Sequence, residues 1–346
     1  MHKIISSSIE IIEDKKSWET FLSEVDLYDF YHTFDYHTIS KNENERPVLI
    51  KYTEDNKSIG LPLLIRDIPN TPYFDATSVY GYPGPVSKNI DHNFDNTNFV
   101  REFRLFLEEQ NIVSVFSRLN PYVCFQENIL LNVGKIITLG DVVNIDITGD
   151  LETQRGCYQK RLKTHINKSK RNCTVINAKS DEDVLKFVEI YYENMKRVGA
   201  IDFYFFPKKY FIDFFKSKNF KTEILLAALK DTNEIIAGAM FVKANSIVQY
   251  HLSGVRNDGL QYFPTKLLID EMRVRAYAEN YQYFNLGGGL NSKHDSLFQF
   301  KASFSKNYRS FKIWKYIVNH NIYNSLVTEE QEKTNSNYFP LYRSKP

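Results

Sequence analysis

A run of glycines followed by a lysine gives this sequence its clearest means of doing chemistry. The segment Tyr281–Ser305 opens with alternating aromatic residues, which predict a short strand. Consecutive glycines at its end, Gly287–Gly289, indicate positive φ angles or a close approach to the main chain. A helix predicted from Ser296 then carries Lys301, a cation able to stabilise negative charge on a carbonyl oxygen. The alternative is a tight turn with a solvated lysine.

Two further groups near this turn could move a proton. Asp295 could hold Lys301 in place or accept a proton from an attacking amine, or it could simply cap the helix at Ser296. His251 lies on a predicted strand and has an unperturbed pKa of ~6.5, which suits a general base. A core or surface position is the alternative for this histidine. The remaining histidines lack metal-ligand spacing, so we predict no metal site.

A basic stretch lies in the middle of the chain, and no acid occurs between Thr153 and Ser180. A cationic helix face concentrates phosphate-bearing partners, here tRNA or the diphosphate of a nucleotide sugar or lipid carrier. The alternative is a solvated helix face, which is the usual role of such charge runs. The basic side chains of the stretch are Arg155, Lys160, Arg161, Lys163, Lys168, Lys170 and Arg171.

The order of predicted elements repeats in the two halves of the chain. Strand–turn–strand patterns at Leu49–Leu64 and Leu226–Phe241 are each followed by another extended segment, a helix and a short strand. The predicted helices are Asn98–Gln110 and Thr265–Glu279, and the short strands are Ile112–Ser117 and Tyr281–Leu286. A matched order of elements predicts two copies of one α/β unit. We therefore predict domains at residues 1–150 and 151–320, followed by a C-terminal helix and tail at 321–346.

Patterns elsewhere predict the remaining elements. Gly134–Thr148 is predicted to form one or two strands that close the first domain, and residues 334–346 a loosely held tail. Ser180 is predicted to cap a helix over Asp181–Val198. The helix from Ser296 is predicted to bury a stripe of Leu297, Phe300 and Phe304. Further helices are predicted at Ser17–Val25, His32–Lys41, Leu151–Asn172 and Asn319–Lys333, and a final strand at Tyr308–Val318.

Composition restricts the class of protein. A chain of 346 residues exceeds the size of one hydrophobic core, which favours two domains. With 42% hydrophobic and 25% charged residues, a mean hydropathy of −0.41 and no long apolar run, we predict a globular protein without a membrane span. Acidic residues occur where a signal peptide needs its apolar segment, so we expect a cytoplasmic protein. The 3 cysteines are unpatterned and indicate neither disulfides nor a metal site.

Five segments together resemble the FemAB-like acyltransferases, whose members consist of paired GNAT-type domains. They are the triple glycine followed by DSLFQFKASF, Tyr80–Pro85 (YGYPGP), Ser117–Pro121 (SRLNP), Arg161–Arg171 and His251–Gly254 (HLSG). The segments occur in the expected order over residues 15–320. The resemblance implies an α/β (α+β) fold of two tandem GNAT-like domains, each a mixed central sheet flanked by helices.

The resemblance also implies roles on the donor side. The lysine of the family's F-x-F-K-x-x-F pattern lies in the active-site region, and it maps onto Lys301 without a gap. GNAT enzymes bind the pyrophosphate of acetyl-CoA with a Q/R-x-x-G-x-G/A loop at a helix N-terminus. Arg256–Gln261 (RNDGLQ) matches half of that pattern, so acyl-CoA and aminoacyl-tRNA both stay open as co-substrates. The candidate donor-binding residues are Ser253, Gly254, Arg256, Gly259, Thr265, Gly287, Gly288 and Gly289.

Acceptor binding is expected mainly from the first domain. The family has a glycine–proline segment beside its acceptor pocket, which corresponds to Tyr80–Pro85, and a second acceptor segment around Arg118. The lysine that some members use for their acceptor does not map cleanly onto Lys41, which disfavours a peptidoglycan precursor. The candidate acceptor-binding residues are His32, Tyr36, Tyr80, Tyr82, Arg118 and Arg161.

We therefore predict an N-acyltransferase that forms an amide between an activated acyl donor and an amine, with Lys301, Asp295 and His251 as catalytic candidates. No permanently bound cofactor is expected. The expected acceptor is a small sugar- or phosphate-bearing amine from a cell-surface glycan precursor, free, nucleotide-linked or in contact with a lipid-linked substrate. Two alternatives stay open. One is a tRNA-dependent aminoacyltransferase acting on a peptidoglycan precursor, and the other is a non-catalytic binding or scaffold protein with the same fold.

Overall fold

The strands and helices of the chain follow its local sequence patterns closely. The computed structural model describes residues 7–334 and 336–344. The elements of the first half are β1 (Ser7–Ile12), α1 (Lys15–Glu24), α2 (Phe34–Ser40), β2 (Glu45–Glu54), β3 (Lys57–Asp67), β4 (Phe74–Thr77), β5 (Val86–Lys88), α3 (Thr97–Glu109), β6 (Ile112–Arg118), α4 (Gln126–Ile129) and β7 (Lys135–Asp146). Those of the second half are α5 (Leu151–Gly156), α6 (Lys160–Asn172), β8 (Cys173–Asn177), α7 (Asp181–Arg197), α8 (Lys208–Lys216), β9 (Lys221–Leu229), β10 (Ile235–Ala244), β11 (Ile247–Val255), α9 (Pro264–Ala278), β12 (Tyr283–Gly287), α10 (Ser296–Ala302), β13 (Asn307–Ile317), α11 (His320–Leu326) and α12 (Glu329–Lys333).

The chain forms two compact units with the same strand order. Unit 1 comprises the described residues up to Leu139 and from Phe311 onward, and unit 2 comprises Gly140–Ser310. The sheet of unit 1 has the order β1-β2-β3-β4-β6-β13, with β5 paired to β3, and that of unit 2 has the order β8-β9-β10-β11-β12-β7. Each contains one parallel pair, β4–β6 or β11–β12, whose strands are connected through α3 or α9. The predicted repeat of elements is therefore confirmed.

The last strand of each sheet comes from an unexpected place in the sequence. β7, which follows the rest of the first repeat, pairs through residues 143–146 with β12. β13, which follows the second repeat, pairs through residues 313–317 with β6. The strand predicted within Gly134–Thr148 is present, but its residues 143–146 belong to the sheet of unit 2, because alternating side chains predict a strand but not its partner. The division into domains at 1–150, 151–320 and 321–346 stays a prediction.

Local capping and packing account for most helix boundaries. Ser180 accepts a hydrogen bond from the Asp183 amide and caps α7, as predicted. The segment predicted as one helix over residues 151–172 is two helices, since Tyr158 is buried in the break and its hydroxyl contacts Asp270 Oδ1 at 3.2 Å. The segment at 319–333 likewise forms two helices, α11 and α12. In α10, Leu297 is exposed rather than buried, because Phe298, Lys301 and Ala302 form its buried face.

Each unit contains its own hydrophobic core. In unit 1, Trp314 of β13 packs in the same core as the apolar face of α3. In unit 2, α6 and α9 pack with Phe284 and Leu286 of β12. Full burial of such a side chain contributes about 1.5–3 kcal/mol. No helix within residues 7–334 and 336–344 is long and apolar enough to cross a membrane.

Candidate functional site

Two parallel strands of unit 2 separate where the candidate site begins. β11 and β12 pair only through residues 247–249 and 283–285, although β11 continues to Val255. His251 is an extra residue in β11, because Tyr250 pairs with Phe241 and Leu252 pairs with Met240. A bulge of this kind bends its strand and is common beside active sites. The end of the sheet between β11 and the glycine turn is therefore open to hold a ligand.

Each glycine of the turn after β12 is needed for a different steric reason. Gly287 has a φ of +75°, a conformation that other residues rarely adopt. A Cβ on Gly288 would lie 2.7 Å from the Asp141 carbonyl oxygen, and one on Gly289 would lie 2.0 Å from the Lys293 carbonyl oxygen. The prediction of positive φ or close backbone approach is thus confirmed at all three positions.

Lys301 is buried beside this turn and reaches back to it. Its side chain is 8% exposed, and Nζ donates a hydrogen bond of 2.6 Å to the Gly288 carbonyl oxygen. Burial lowers the pKa of Lys301 to about 8, although the charge of Asp295 opposes that shift. Within the described residues, no carboxylate forms an ion pair with this ammonium group. Two of its three N–H donors therefore have no carboxylate to satisfy them.

Asp295 is engaged by the main chain rather than by the lysine. Its Oδ1 accepts from the Phe298 amide at 2.9 Å, and its Oδ2 accepts from the Leu290 amide at 3.0 Å. The hydrogen bond from Phe298 and those from Leu290 and Leu297 lower the pKa of Asp295. The carboxylate thus caps α10 and fixes the glycine turn, which was the alternative interpretation. Its role as a proton acceptor stays a prediction.

His251 lies among aromatic rings on β11. Its Nε2 is 2.8 Å from the Tyr210 hydroxyl, and its ring stacks on Phe214 with centroids 5.0 Å apart. Burial lowers the pKa of His251 to about 3, so the ring is neutral and weakly basic at pH 7. The Tyr250 hydroxyl instead forms a hydrogen bond with the Ser253 hydroxyl. Ser253, a candidate donor-binding residue, therefore already has a hydrogen-bond partner within the protein. The environment of His251 therefore disfavours a general base.

Packing explains two of the candidate donor-loop glycines. A Cβ on Gly254 would lie 2.8 Å from the Ile190 carbonyl oxygen in α7, and one on Gly259 would lie 2.9 Å from Ile236 Cβ. The Arg256 amide donates to the Ile236 carbonyl oxygen at 2.8 Å, whereas its buried Nε has no partner among the described residues. Thr265 occupies the first turn of α9, directly after Pro264.

A cationic cluster surrounds Phe263 at the N-terminus of α9. Phe263 has a φ of +56°, an uncommon conformation for an aromatic residue that often marks a functional segment. The His165 ring stacks on it at 3.8 Å, and Lys168 Nζ and Lys266 Nζ lie 5.5 and 5.2 Å from its centroid. Lys266 Nζ is also 2.7 Å from His165 Nδ1. We call Arg161, His165, Lys168, Phe263 and Lys266 the Phe263 cluster.

Electrostatic effects show that the cluster concentrates positive charge. Burial lowers the pKa of His165, and the charges of Lys266, Arg161 and Lys168 lower it further. Burial and the charge of Arg161 lower the pKa of Lys266 in the same way. A helix N-terminus adds a partial positive charge, so this end of α9 is suited to bind phosphate groups.

Only part of the predicted basic stretch is available for a partner. The stretch itself contains no acidic residue, but the neighbouring helix α9 places the carboxylate of Asp270 against it. Asp270 is only 1% exposed. Asp270 forms ion pairs with Lys170 at 2.9 Å, with Arg273 at 3.1 Å and with Arg155 at 3.5 Å. The stretch therefore does not form one continuous cationic face. Arg161 and Lys168 belong to the Phe263 cluster, whereas Lys160, Lys163 and Arg171 lie outside both the cluster and the ion pairs of Asp270.

In unit 1, Arg118 lies at the end of β6 between two aromatic rings. Its guanidinium carbon is 5.1 Å from the Phe116 centroid and 5.5 Å from the Tyr80 centroid. Burial lowers the pKa of Arg118, and nearby tyrosine hydroxyls partly oppose that shift. No carboxylate of residues 7–334 and 336–344 pairs with it. Tyr36 is brought into the same group, since its hydroxyl donates to the Tyr80 carbonyl oxygen at 2.7 Å.

The other candidate acceptor residues have different positions. Tyr82 lies in the same turn as Tyr80, and its carbonyl oxygen accepts from Asn120 Nδ2 at 2.7 Å. His32 is fully buried, and its Nδ1 accepts the Asp29 amide at 2.9 Å, so it stabilises a helical turn in the core. Arg161 belongs to unit 2 and to the Phe263 cluster. The structure thus groups Tyr36, Tyr80 and Tyr82 with Arg118, but not His32.

The sequence analysis missed a pair of buried amides in unit 2. Asn144 of β7 and Asn285 of β12 are register partners and are fully buried. Both side-chain polar atoms of Asn144 and the Nδ2 of Asn285 have no partner among the described residues. Each such group costs about 1–3 kcal/mol. Asparagine inside an otherwise apolar strand, as in VVNIDI and YFNLG, is the signal that could have revealed this pair.

Comparison with protein families identifies the class of the protein. Residues 158–301, all within unit 2, match the model of the acetyltransferase (GNAT) domain. The chain therefore contains a GNAT acetyltransferase domain and is an acyltransferase. No curated protein matches its sequence.

Solved structures show the same fold over nearly the whole chain. The crystal structure of FemX aligns with a TM-score of 0.70 and 13% identity, covering 91% of this chain and 99% of FemX. L-PGS from Bacillus licheniformis aligns with a TM-score of 0.58 and 14% identity, covering 89% and 93%. The C-terminal domain of a putative lysylphosphatidylglycerol synthetase from Agrobacterium fabrum aligns with a TM-score of 0.54 and 12% identity, covering 89% and 94%. The predicted tandem GNAT fold and the resemblance to FemAB-like acyltransferases are confirmed.

Proposed function

We propose that this protein is an amide-forming N-acyltransferase in which unit 2 binds the acyl donor and Lys301 stabilises the reacting carbonyl. The observation that carries the proposal is the position of Lys301. A buried ammonium group without an ion-paired carboxylate is directed at the glycine turn, beside the open end of β11 and β12. One donor of this group binds the Gly288 carbonyl oxygen, and its other two N–H donors support a role in binding a developing oxyanion.

The reaction follows from that placement. The lone pair of the acceptor amine attacks the acyl carbon, and the carbonyl electrons move to oxygen. The Lys301 ammonium donates a hydrogen bond to the resulting oxyanion. Collapse of this intermediate expels the donor's thiolate or ribose oxygen, and the nitrogen loses its proton to give the amide. Since His251 is weakly basic, the acceptor amine is expected to react in its neutral form after losing a proton to solvent.

The Phe263 cluster supports a phosphate-bearing donor. CoA and tRNA both carry phosphate groups, so the cluster suits either of them. Aminoacyl-tRNA is the second candidate donor. It gains support from the similarity of the fold to a putative lysylphosphatidylglycerol synthetase, a protein whose name denotes attachment of an amino acid. The missing second small residue at Gln261 also favours it over acyl-CoA.

Arg118 and its tyrosines support an anionic acceptor. A guanidinium group without a carboxylate partner is suited to phosphate or carboxylate oxygens. A sugar- or phosphate-bearing amine from a cell-surface glycan precursor fits this chemistry. The acceptor would then be an amino sugar of polysaccharide biosynthesis, free, nucleotide-linked or lipid-linked, and a peptidoglycan precursor is the alternative.

Calorimetric titration of the full-length protein identifies the donor. Acetyl-CoA, longer acyl-CoAs, free CoA and charged tRNA are titrated separately into the wild type. The account expects saturable binding of either the acyl-CoA series or charged tRNA, and the productive class identifies the donor. Absence of binding by both classes would refute the proposed function.

A further inference from the structure

The C-terminal segment is tied to the sheet of unit 1 by a buried charge network. Asp75 of β4 is fully buried and forms an ion pair of 2.6 Å with Arg66 Nε. Its other oxygen accepts from Arg343 Nε and, at 3.1 Å, from the Tyr342 hydroxyl. The Tyr342 hydroxyl also forms a hydrogen bond of 2.9 Å with the Ser114 hydroxyl. We call Arg66, Asp75, Tyr342 and Arg343 the Asp75 clasp, and it shows that Tyr342 and Arg343 of the predicted loose tail are held in place.

A second set of contacts fixes the segment before the clasp. The Phe339 ring packs against Phe116 with centroids 6.3 Å apart and stacks on Tyr323 at 5.9 Å. Lys315 Nζ donates to the Asn337 carbonyl oxygen at 2.9 Å. The guanidinium of Arg118 lies over the same Phe116 ring, so Phe116 contacts both the segment and Arg118.

Tyr338 lies between these two anchored neighbours and is 55% exposed. Like Tyr36, Tyr80 and Tyr82, Tyr338 interacts electrostatically with Arg118 and partly opposes the lowering of its pKa by burial. The Tyr80 ring lies 5.5 Å from the guanidinium carbon of Arg118, and no carboxylate of the described chain pairs with this group. A hydroxyl can donate to an anion that the guanidinium binds, whereas a carboxylate would repel it.

We propose that residues 337–343 complete an oxyanion-binding site centred on Arg118, in which Tyr338 is a binding residue and the Asp75 clasp holds it in position. The site takes a phosphate or carboxylate group. Its assignment to the anionic part of the acceptor rests on the proposed function. The anion binding itself does not depend on that function.

Binding of inorganic pyrophosphate and of citrate, measured by calorimetry, tests the site. The titrations use full-length Lys168→Gln/Lys266→Gln protein, so that the Phe263 cluster does not contribute. Arg118→Gln is expected to abolish binding, and Tyr338→Phe to weaken it about tenfold, as expected for loss of one hydrogen bond to a charged group. Tyr277→Phe, at an exposed tyrosine of α9, serves as the control and should bind like its parent. Preference for pyrophosphate or for citrate identifies the group as phosphate or carboxylate.

Release of the clasp tests the positioning role. Arg343→Gln should weaken binding as much as Tyr338→Phe and increase hydrogen exchange over residues 337–343, while Arg343→Lys should restore most of the affinity. If Tyr338→Phe and Arg343→Gln both bind the anion as tightly as the parent while Arg118→Gln does not bind it, residues 337–343 are not part of the site. Parental affinity in Arg118→Gln, or no binding of either anion by the parent, would refute the site. Neither result bears on acyl transfer, which is measured separately with Lys301 variants.

Discussion

Burial determines which single side chains can act at neutral pH. Lys301 loses water at the glycine turn, so its pKa falls to about 8 and a measurable fraction is neutral in mildly alkaline solution. The same loss of water lowers the pKa of His251 to about 3. Asp295 keeps a lowered pKa because main-chain amides bind it. The lysine thus has no ion-paired carboxylate among the described residues, while Asp295 caps a helix and His251 packs among aromatic rings.

The pH dependence of the rate should report the titration of Lys301. Its ammonium form is lost as the pH rises through about 8, because burial lowers the pKa. If the charged form stabilises the oxyanion, kcat/KM expressed per neutral acceptor amine should fall about tenfold per pH unit on the alkaline side of that value. Lys301→Arg keeps its charge over the whole accessible range, since guanidinium groups do not deprotonate in proteins.

The measurement is kcat/KM from pH 6 to pH 10 for the wild type and Lys301→Arg. The alkaline fall should disappear in the arginine variant, whatever its absolute rate. An identical alkaline fall in both proteins would assign that titration to another group.

Sequence patterns predicted Lys301 but not its surroundings. The glycine run and the helix that follows it are local features visible in the sequence, although the predicted stripe missed Phe298 and included the exposed Leu297. The extent to which Lys301 loses contact with water depends on the other elements that cover its side chain. Its lowered pKa therefore could not be predicted from the local sequence. Asn144 and Asn285 were missed for a related reason, because their pairing depends on strands far apart in the sequence.

At the scale of elements, α9 organises the basic side chains of unit 2. Its N-terminus displays the Phe263 cluster, whereas its buried Asp270 neutralises Arg155 and Lys170. Part of the basic stretch therefore belongs to a potential ligand site and part to an internal ion-pair network. No local pattern could predict this division, because Asp270 joins the stretch only when α9 packs on α6.

Two matched double variants can separate these roles. Lys168→Gln/Lys266→Gln removes charge from the Phe263 cluster and should weaken binding of acetyl-CoA or charged tRNA at least about tenfold. Lys160→Gln/Arg171→Gln removes the same number of charges from exposed positions of α6 outside the cluster and should change the affinity far less. Calorimetry at one fixed salt concentration provides the comparison. If both double variants lose the same affinity, the ligand responds to the total charge of the protein rather than to a site at the Phe263 cluster.

At the scale of the whole molecule, the repeat was predictable and the strand exchange was not. The matched hairpins, helices and short strands are recognisable from local periodicity. The partners of β7 and β13 are set by contacts distant in sequence, so each was assigned to its neighbouring repeat. The C-terminal segment was misjudged for the same reason, since the Asp75 clasp joins residues from opposite ends of the chain.

Buried neutral histidines should make unit 1 sensitive to acid. Burial lowers the pKa of His32 to about 3 and that of His37 to about 4, while both titrate near ~6.5 when unfolded. Below that pH the unfolded chain binds more protons than the folded one, so stability falls as the pH falls. Each histidine should lower the free energy of unfolding by about 2 kcal/mol between pH 7 and pH 5.

Urea unfolding at pH 7 and pH 5 measures this loss. His37→Gln, which keeps a donor for the Thr33 carbonyl oxygen, should show a smaller loss than the wild type. His92→Gln, at an exposed position, should show the wild-type loss. The same pH dependence in all three proteins would contradict the assignment to buried histidines.

The most direct test of the central claim is the rate of amide formation by Lys301→Met. Single-turnover transfer from the donor that binds is measured with a panel of phosphate-bearing amino sugars as acceptors. Lys293→Met, which alters an exposed lysine of the same turn, is the matched control. The account predicts a rate at least about 100-fold below wild type for Lys301→Met, with donor affinity retained, and a rate within about twofold for Lys293→Met. A Lys301→Met enzyme that transfers the acyl group at the wild-type rate would contradict the account.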